Sequence, residues 1–185
     1  MAISTSLAPA PTAPLDQAIL ADPIEFIRFE HYRQRALCDR LGRVADDLGR
    51  PGATGDAAWI LDYLSTDLPL HIADESEDLM PLLRERGESD GEVLAICDTL
   101  DREHKRDERG RDRLLDGLRR LVTRRPVADP AQFVSAARAF QDKLRRHVVW
   151  ENQTLLPLAR RLLWTGDLES LGLRMARRHG YSGRA

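Results

Sequence analysis

The sequence is poor in residues that carry several common kinds of chemistry. Its two cysteines, Cys38 and Cys97, form neither a disulfide framework nor a C-x-x-C motif. A reduced, cytoplasmic setting is the default expectation for such a chain. Lysine is nearly missing: Lys105 and Lys143 are the only two among 28 basic residues. The arginine excess reads as a compositional habit rather than a site. A net charge of −2 gives no electrostatic pull toward nucleic acid or an acidic membrane, so neither is expected as a partner. No apolar run approaches the length that crosses a bilayer. Residues 1–15 lack the charged and apolar regions of a secretory signal. They are rich in Ala, Pro, Ser and Thr, and the expectation is a disordered segment over residues 1–20. Histidine is scarce too, with five in the chain.

What remains suits one helical domain. The length of 185 residues supports a single core, and 42% apolar with 31% charged residues fits an amphipathic helical protein. Helix one is expected from about Asp22 to Gly49, with Asp22 as N-cap and Pro23 at the first helical position. Its inner stripe is Ile27, His31, Cys38, Leu41, Ala45 and Leu48. The segment GRPGATGD is a turn. Helix two, about 54–86, turns Ile60, Leu64, Leu68, His71, Glu75, Leu79 and Leu82 inward. RGESDG breaks the chain before helix three, about 89–123, with Val93, Cys97, Leu100, His104, Glu108, Leu115 and Leu118 inside. RRPVADP precedes helix four, about 129–164, with Phe133, Ala137, Phe140, Leu144, His147, Glu151, Leu155, Leu158 and Leu162 inside. Residues 21–165 thus form an all-α, up-down-up-down four-helix bundle, and 166–185 a short C-terminal helix and basic tail.

Four of the five histidines follow a pattern. The segments HIADESEDLMPL, from His71, and HVVWENQTLLPL, from His147, agree at His, at Glu four residues on, at Leu four further, and at Pro-Leu. His31 and His104 match each other, each preceded by a glutamate, Glu30 and Glu103. In an up-down bundle with short loops, residues at one height lie equally far from the turn that joins their helices. The midpoint of His31 and His71 is Pro51, inside the first turn. The midpoint of Glu75 and His104 falls at Ser89–Asp90, and that of His104 and His147 at Arg125–Pro126. All four histidines therefore reach one layer. Cys38 and Cys97 lie two turns away on opposite sides of it, roughly 21 Å apart along the axis, beyond disulfide reach.

Residues four apart share a helix face, so His71 with Glu75, and His147 with Glu151, both reach inward. Four imidazoles and two carboxylates suit two metal ions. Two histidines hold each ion, both glutamates bridge, and positions stay open for an oxo or hydroxo bridge and an exogenous ligand. This donor set favours two iron ions, with zinc or manganese as alternatives. A structural zinc site would be closed and often thiolate-rich, and neither cysteine is at this height. The alternative is six unrelated polar residues, and burying them without a metal would be costly.

The pattern H…H-x-x-x-E…H…H-x-x-x-E, over about residues 22–164, resembles the hemerythrin-like (HHE cation-binding) family. That resemblance implies a non-haem di-iron centre in a four-helix bundle. His31, His71, His104 and His147 would be terminal ligands, and Glu75 and Glu151 the bridges. Oxygen-carrying members place a fifth histidine one turn after the third-helix histidine and use aspartate on the last helix at a five-residue spacing. Here Glu108 and Glu151 stand at those places, so reversible oxygen carriage is not implied. The four-His, two-Glu set is closer to the di-iron repair proteins for iron–sulfur clusters and to iron-sensing domains. The repair proteins carry an additional cysteine-containing domain with no counterpart in these residues.

Three roles compete. The first is binding or sensing of O2, NO, peroxide or iron itself, in stress or iron homeostasis. The second is a di-iron enzyme that reduces NO or peroxide or supports iron–sulfur cluster repair. The third is a structural or interaction bundle. Around the site, Glu108 is either an extra carboxylate ligand or a solvent-facing charge, and its inward phase keeps the first open. Glu30 and Glu103 lie on a polar route to the site or in surface ion pairs. Asp67, one turn before His71, is a candidate to orient that ring. Tyr32 and Trp150 flank the site and are read as packing residues. Pro81 and Pro157 mark matched kinks beyond the histidine layer, and His179 is expected to be exposed and without a role.

Overall fold

A computed structural model describes residues 21–48, 50 and 53–181. The expected disordered segment at 1–20, the end of helix one at Gly49 and the last residues of the basic tail lie outside them. Of the described residues, 87% are helical, and no strand occurs among them.

Helix α1 spans Pro23–Asp46. Asp22 caps it, its side chain accepting from the Glu25 amide at 3.0 Å, and Pro23 fills a position whose N–H would be unpaired anyway. The second rod of the bundle is a chain of short pieces: α2 (Ala53–Ser65), α3 (Asp67–Ala73), a π-helical turn over Asp74–Leu79, and α4 (Met80–Arg86). The break between α2 and α3 falls at Thr66, three residues before Pro69, whose ring cannot donate back along the helix. The third rod is one helix, α5 (Gly91–Val122), capped by Asp90. The fourth is α6 (Pro130–Trp150), a π-helical turn over Glu151–Leu155, and α7 (Leu156–Leu162). Asp129 caps it, accepting from the Gln132 amide at 2.9 Å. Helix α8 (Thr165–Arg178) then folds back on the bundle.

The antiparallel four-helix bundle is therefore as expected, and it holds two apolar cores rather than one. Ile24, Ile27, Leu79, Leu83, Val93, Cys97, Leu100 and Leu155 belong to the first, with Leu171 and Met175 of α8. Leu37, Leu41, Ile60, Leu64, Leu114, Leu118, Phe140 and Leu144 belong to the second, with Cys38. Gly117 lets α5 and α6 approach closely, because a Cβ there would lie 2.3 Å from the Phe133 ring. Between the cores lies the polar layer of histidines and glutamates. The cysteines are free, buried and in different cores, as their offsets from His31 and His104 require.

Two expectations need correction. The kinks tied to Pro81 and Pro157 do not lie beyond the histidine layer; they fall within it. Each is a π-helical turn that carries a glutamate of the pattern, closed by bonds from Met80 N to the Glu75 carbonyl and from Leu156 N to the Glu151 carbonyl. A proline clashes with the carbonyl four residues back, and one wider turn relieves that clash. On α5, Glu108 and Leu115 were expected inside, but Glu108 is exposed and Leu115 half-buried; Asp107 and Leu114 are buried instead. The buried positions Cys97, Leu100, His104, Asp107, Leu114 and Leu118 are spaced by three, four, three, seven and four, the spacing of a heptad seam. A step of four from His104 rotates about 40° out of that seam.

Candidate metal centre

The π turns explain how each glutamate reaches the bundle axis together with the histidine before it. Both side chains are completely buried, and His31, His71, His104 and His147 are buried around them. The Nε2 atoms of the four imidazoles face the carboxylates. His31 lies 3.2 Å from Glu151 Oε2 and 3.6 Å from Glu75 Oε1, and His71 lies 3.6 Å from Glu75 Oε2. His104 lies 3.2 Å from Glu75 Oε2 and 3.8 Å from Glu151 Oε1, and His147 lies 3.0 Å from Glu151 Oε1. The donors form two groups, His31–His71–Glu75–Glu151 and His104–His147–Glu75–Glu151, each with its donor atoms within 4.8 Å of one another. Both carboxylates belong to both groups. Glu108 belongs to neither.

The donor set fits metal ions on an independent observation. Both oxygens of Glu75 and of Glu151, and Nε2 of His31, His71 and His104, are buried without a hydrogen-bond partner. Polar atoms so placed are costly to leave unpaired. Ligand atoms bonded to one ion at 2.0–2.2 Å stand about 3–4 Å from one another, and the histidine–glutamate distances here run from 3.0 to 3.8 Å.

The outer nitrogens of three rings are engaged. His31 Nδ1 pairs with Asn152 Oδ1 at 2.9 Å, His104 Nδ1 with Ser76 Oγ at 2.8 Å, and His147 Nδ1 with Glu103 Oε2 at 2.9 Å. A proton shared on Nδ1 turns the Nε2 lone pair inward. Ser76 and Asn152 each directly follow a glutamate of the pattern, and each orients a histidine from the other half of the chain. Sequence reading missed both, although they occupy equivalent places in the two repeated segments. Glu103 also proves to be an orienting residue. Asp67 does not orient His71; it pairs with Arg33 at 2.7 Å, and His71 Nδ1 has no partner. Glu30 is buried and turned to Arg33 and to the Tyr63 hydroxyl, which donates at 3.4 Å. Tyr32 is exposed, and Trp150 packs on the first core. His179 is not idle: it lies 2.7 Å from Asp74 Oδ2.

Electrostatics bind protons where no ion is present. Burial disfavours the His31 imidazolium, but the negative charge of the adjacent Glu151 and Glu75 carboxylates outweighs it and raises its pKa to about 10. The same contest raises His104 to about 9 and lifts His147 well above its ordinary value. In His71, burial wins and the pKa falls. Burial and Glu151 push Glu75 upward, and the surrounding histidines overcome them to hold it at about 2.

A four-helix bundle with this buried donor set defines a helical metal-binding protein. A family model described as the hemerythrin HHE cation binding domain matches residues 22–159. The chain belongs to that family. Comparison with curated proteins gave no match, and comparison with solved structures gave none. No helix among the described residues is long and apolar enough to cross a membrane.

Proposed function

We propose that the chain holds two iron ions and uses them to bind or sense O2, NO or peroxide, or iron itself. His31 with His71 would hold one ion and His104 with His147 the other, and Glu75 and Glu151 would be shared between them. The observation that carries this is the pair of four-donor groups sharing both carboxylates. Bound iron supplies redox chemistry and coordination positions for a small molecule. The chain supplies the rest. Asn152, Ser76 and Glu103 fix three imidazoles, and the two apolar cores seal the layer from both ends. A second reading, reduction of peroxide or NO, has support from groups able to hold protons beside the centre. Glu103 is half-buried and bonded to His147, and Lys143 Nζ lies 3.2 Å from the Glu103 carbonyl and 2.5 Å from the buried Asp107.

Anaerobic purification, metal analysis and an absorption spectrum in air test the proposal. About two irons per chain with near-ultraviolet charge-transfer bands are expected. Absence of bound metal after Fe(II) reconstitution overturns it, and tight zinc in place of iron removes the redox roles. Peroxide and NO consumption then separates binding from turnover.

A further inference from the structure

Helix α8 lies outside the matched domain, which ends at residue 159. Its apolar face, Leu171 and Met175, joins the first core. Its polar edge and the residue after it meet the π turn that carries Glu75. Arg178 Nη1 lies 2.7 Å from Asp74 and reaches Asp78 as well, and its Nη2 lies 3.0 Å from Glu77. Arg174 Nε lies 2.8 Å from Asp78, and His179 Nε2 lies 2.7 Å from Asp74. The His179 ring stands edge-on to Phe26 at 5.3 Å.

Asp74 and Asp78 are almost fully buried. Among the described residues, every salt-bridge partner they have comes from α8 or from His179. Between them sit Glu75 and Ser76, the bridging carboxylate and the hydroxyl that orients His104. The repeated segment shows that neither acid is needed to build a π turn or present a glutamate. In the second copy the equivalent positions are Trp150 and Thr154, and that turn forms regardless. The two aspartates therefore serve the contact with α8.

We infer that α8 is a strap: Arg174, Arg178 and His179 are positioning residues that hold the Glu75 turn closed and set the rate at which metal leaves. This rests on the metal reading above. Without Arg178, the turn would carry two under-compensated buried carboxylates beside the anionic Glu75. Buried charge lacking its partner is strongly unfavourable, and opening toward water relieves it. Opening displaces Glu75 and Ser76 together, so both ions are affected, since Glu75 belongs to both donor groups.

The test uses the full chain loaded with Zn(II) and challenged with a chromogenic chelator. R178A should release metal roughly ten- to a hundredfold faster than the wild type, the range for loss of an outer-sphere partner. R178K keeps the charge without the planar fork and should fall between them; it also serves if R178A does not fold. R86A is the control. Arg86 pairs with Asp167 at the other end of α8, at 2.7 and 2.8 Å, and its pairing does not involve the π turn. R86A should release metal at the wild-type rate, and the Co(II) visible spectrum should change in R178A but not in R86A. Release from both R178A and R178K at the wild-type rate, or equal acceleration by R86A, overturns the strap. A wild type that holds no metal removes the underlying reading instead.

Discussion

Proton release is the sharpest consequence of the centre's electrostatics. An imidazole coordinates metal only when its Nε2 is free of a proton. With no ion bound, His31 titrates near 10, His104 near 9, and His147 well above 6.5, so all three are protonated at pH 7. His71, with its pKa lowered by burial, is already neutral. Glu75 and Glu151 are ionised, held low by the histidines around them despite burial. Filling both positions at pH 7 should therefore expel about three protons per chain. The share is unequal: the His31–His71 position gives up one, and the His104–His147 position two. The His31–His71 position should consequently fill at lower pH. The logarithm of the overall binding constant should climb about threefold as steeply as pH itself near neutrality, then flatten as pH passes 9 and 10. Zinc titrations in buffers of different ionisation enthalpy measure the proton count directly, with no redox complication. H104Q should remove one proton from that count. A wild-type count below one at pH 7, or affinity that does not rise between pH 7 and 9, would refute the reasoning.

Other outcomes follow from the same geometry. S76A and N152A should each weaken metal binding about 10–100-fold, read by chelator competition, because each frees one imidazole. E108H should leave metal affinity and the azide-adduct spectrum unchanged, since Glu108 is exposed. L64A should destabilise the metal-free protein by about 2–5 kcal/mol in urea unfolding, as it empties a site in the second core. Metal-free stability should also depend on pH with a definite sign. Raised histidines stabilise the fold fully below 6.5, and that contribution is lost as pH rises through about 9 to 10. Glu75 contributes above 4.5, and its share is lost as pH falls toward about 2. Thermal midpoints should therefore be highest between those limits, and a monotonic profile would contradict this.

Much of this molecule was legible in its residues. The inner stripes, the caps at Asp22 and Asp129 and the midpoints between histidines located the bundle and its polar layer. The six buried histidines and glutamates of that layer were readable because two segments repeat one pattern at one height. What escaped depended on phase and on distance along the chain. Glu108 and Leu115 were expected inside because steps of four were continued where the seam takes three. The π turns were visible only as prolines, which mark a disturbed helix without saying on which side the disturbance falls. The pairing of α8 with Asp74 and Asp78 joins residues about a hundred positions apart, and no local pattern announces it. His179 looked idle for the same reason.

The exchange of orienting residues between halves of the chain bears on how the protein assembles. Residues 22–86 supply His31, His71 and Glu75, and residues 91–162 supply His104, His147 and Glu151. Neither hairpin alone completes a four-donor group, and each lacks the residue that steers one of its own imidazoles. An ion meeting a nascent first hairpin would find two nitrogens and one carboxylate, a loose and exchangeable grip. Firm capture waits until the second hairpin has docked. Cut at the loop near residue 89, the two fragments should reassociate in a metal-dependent way, the ions acting as the rivets between them.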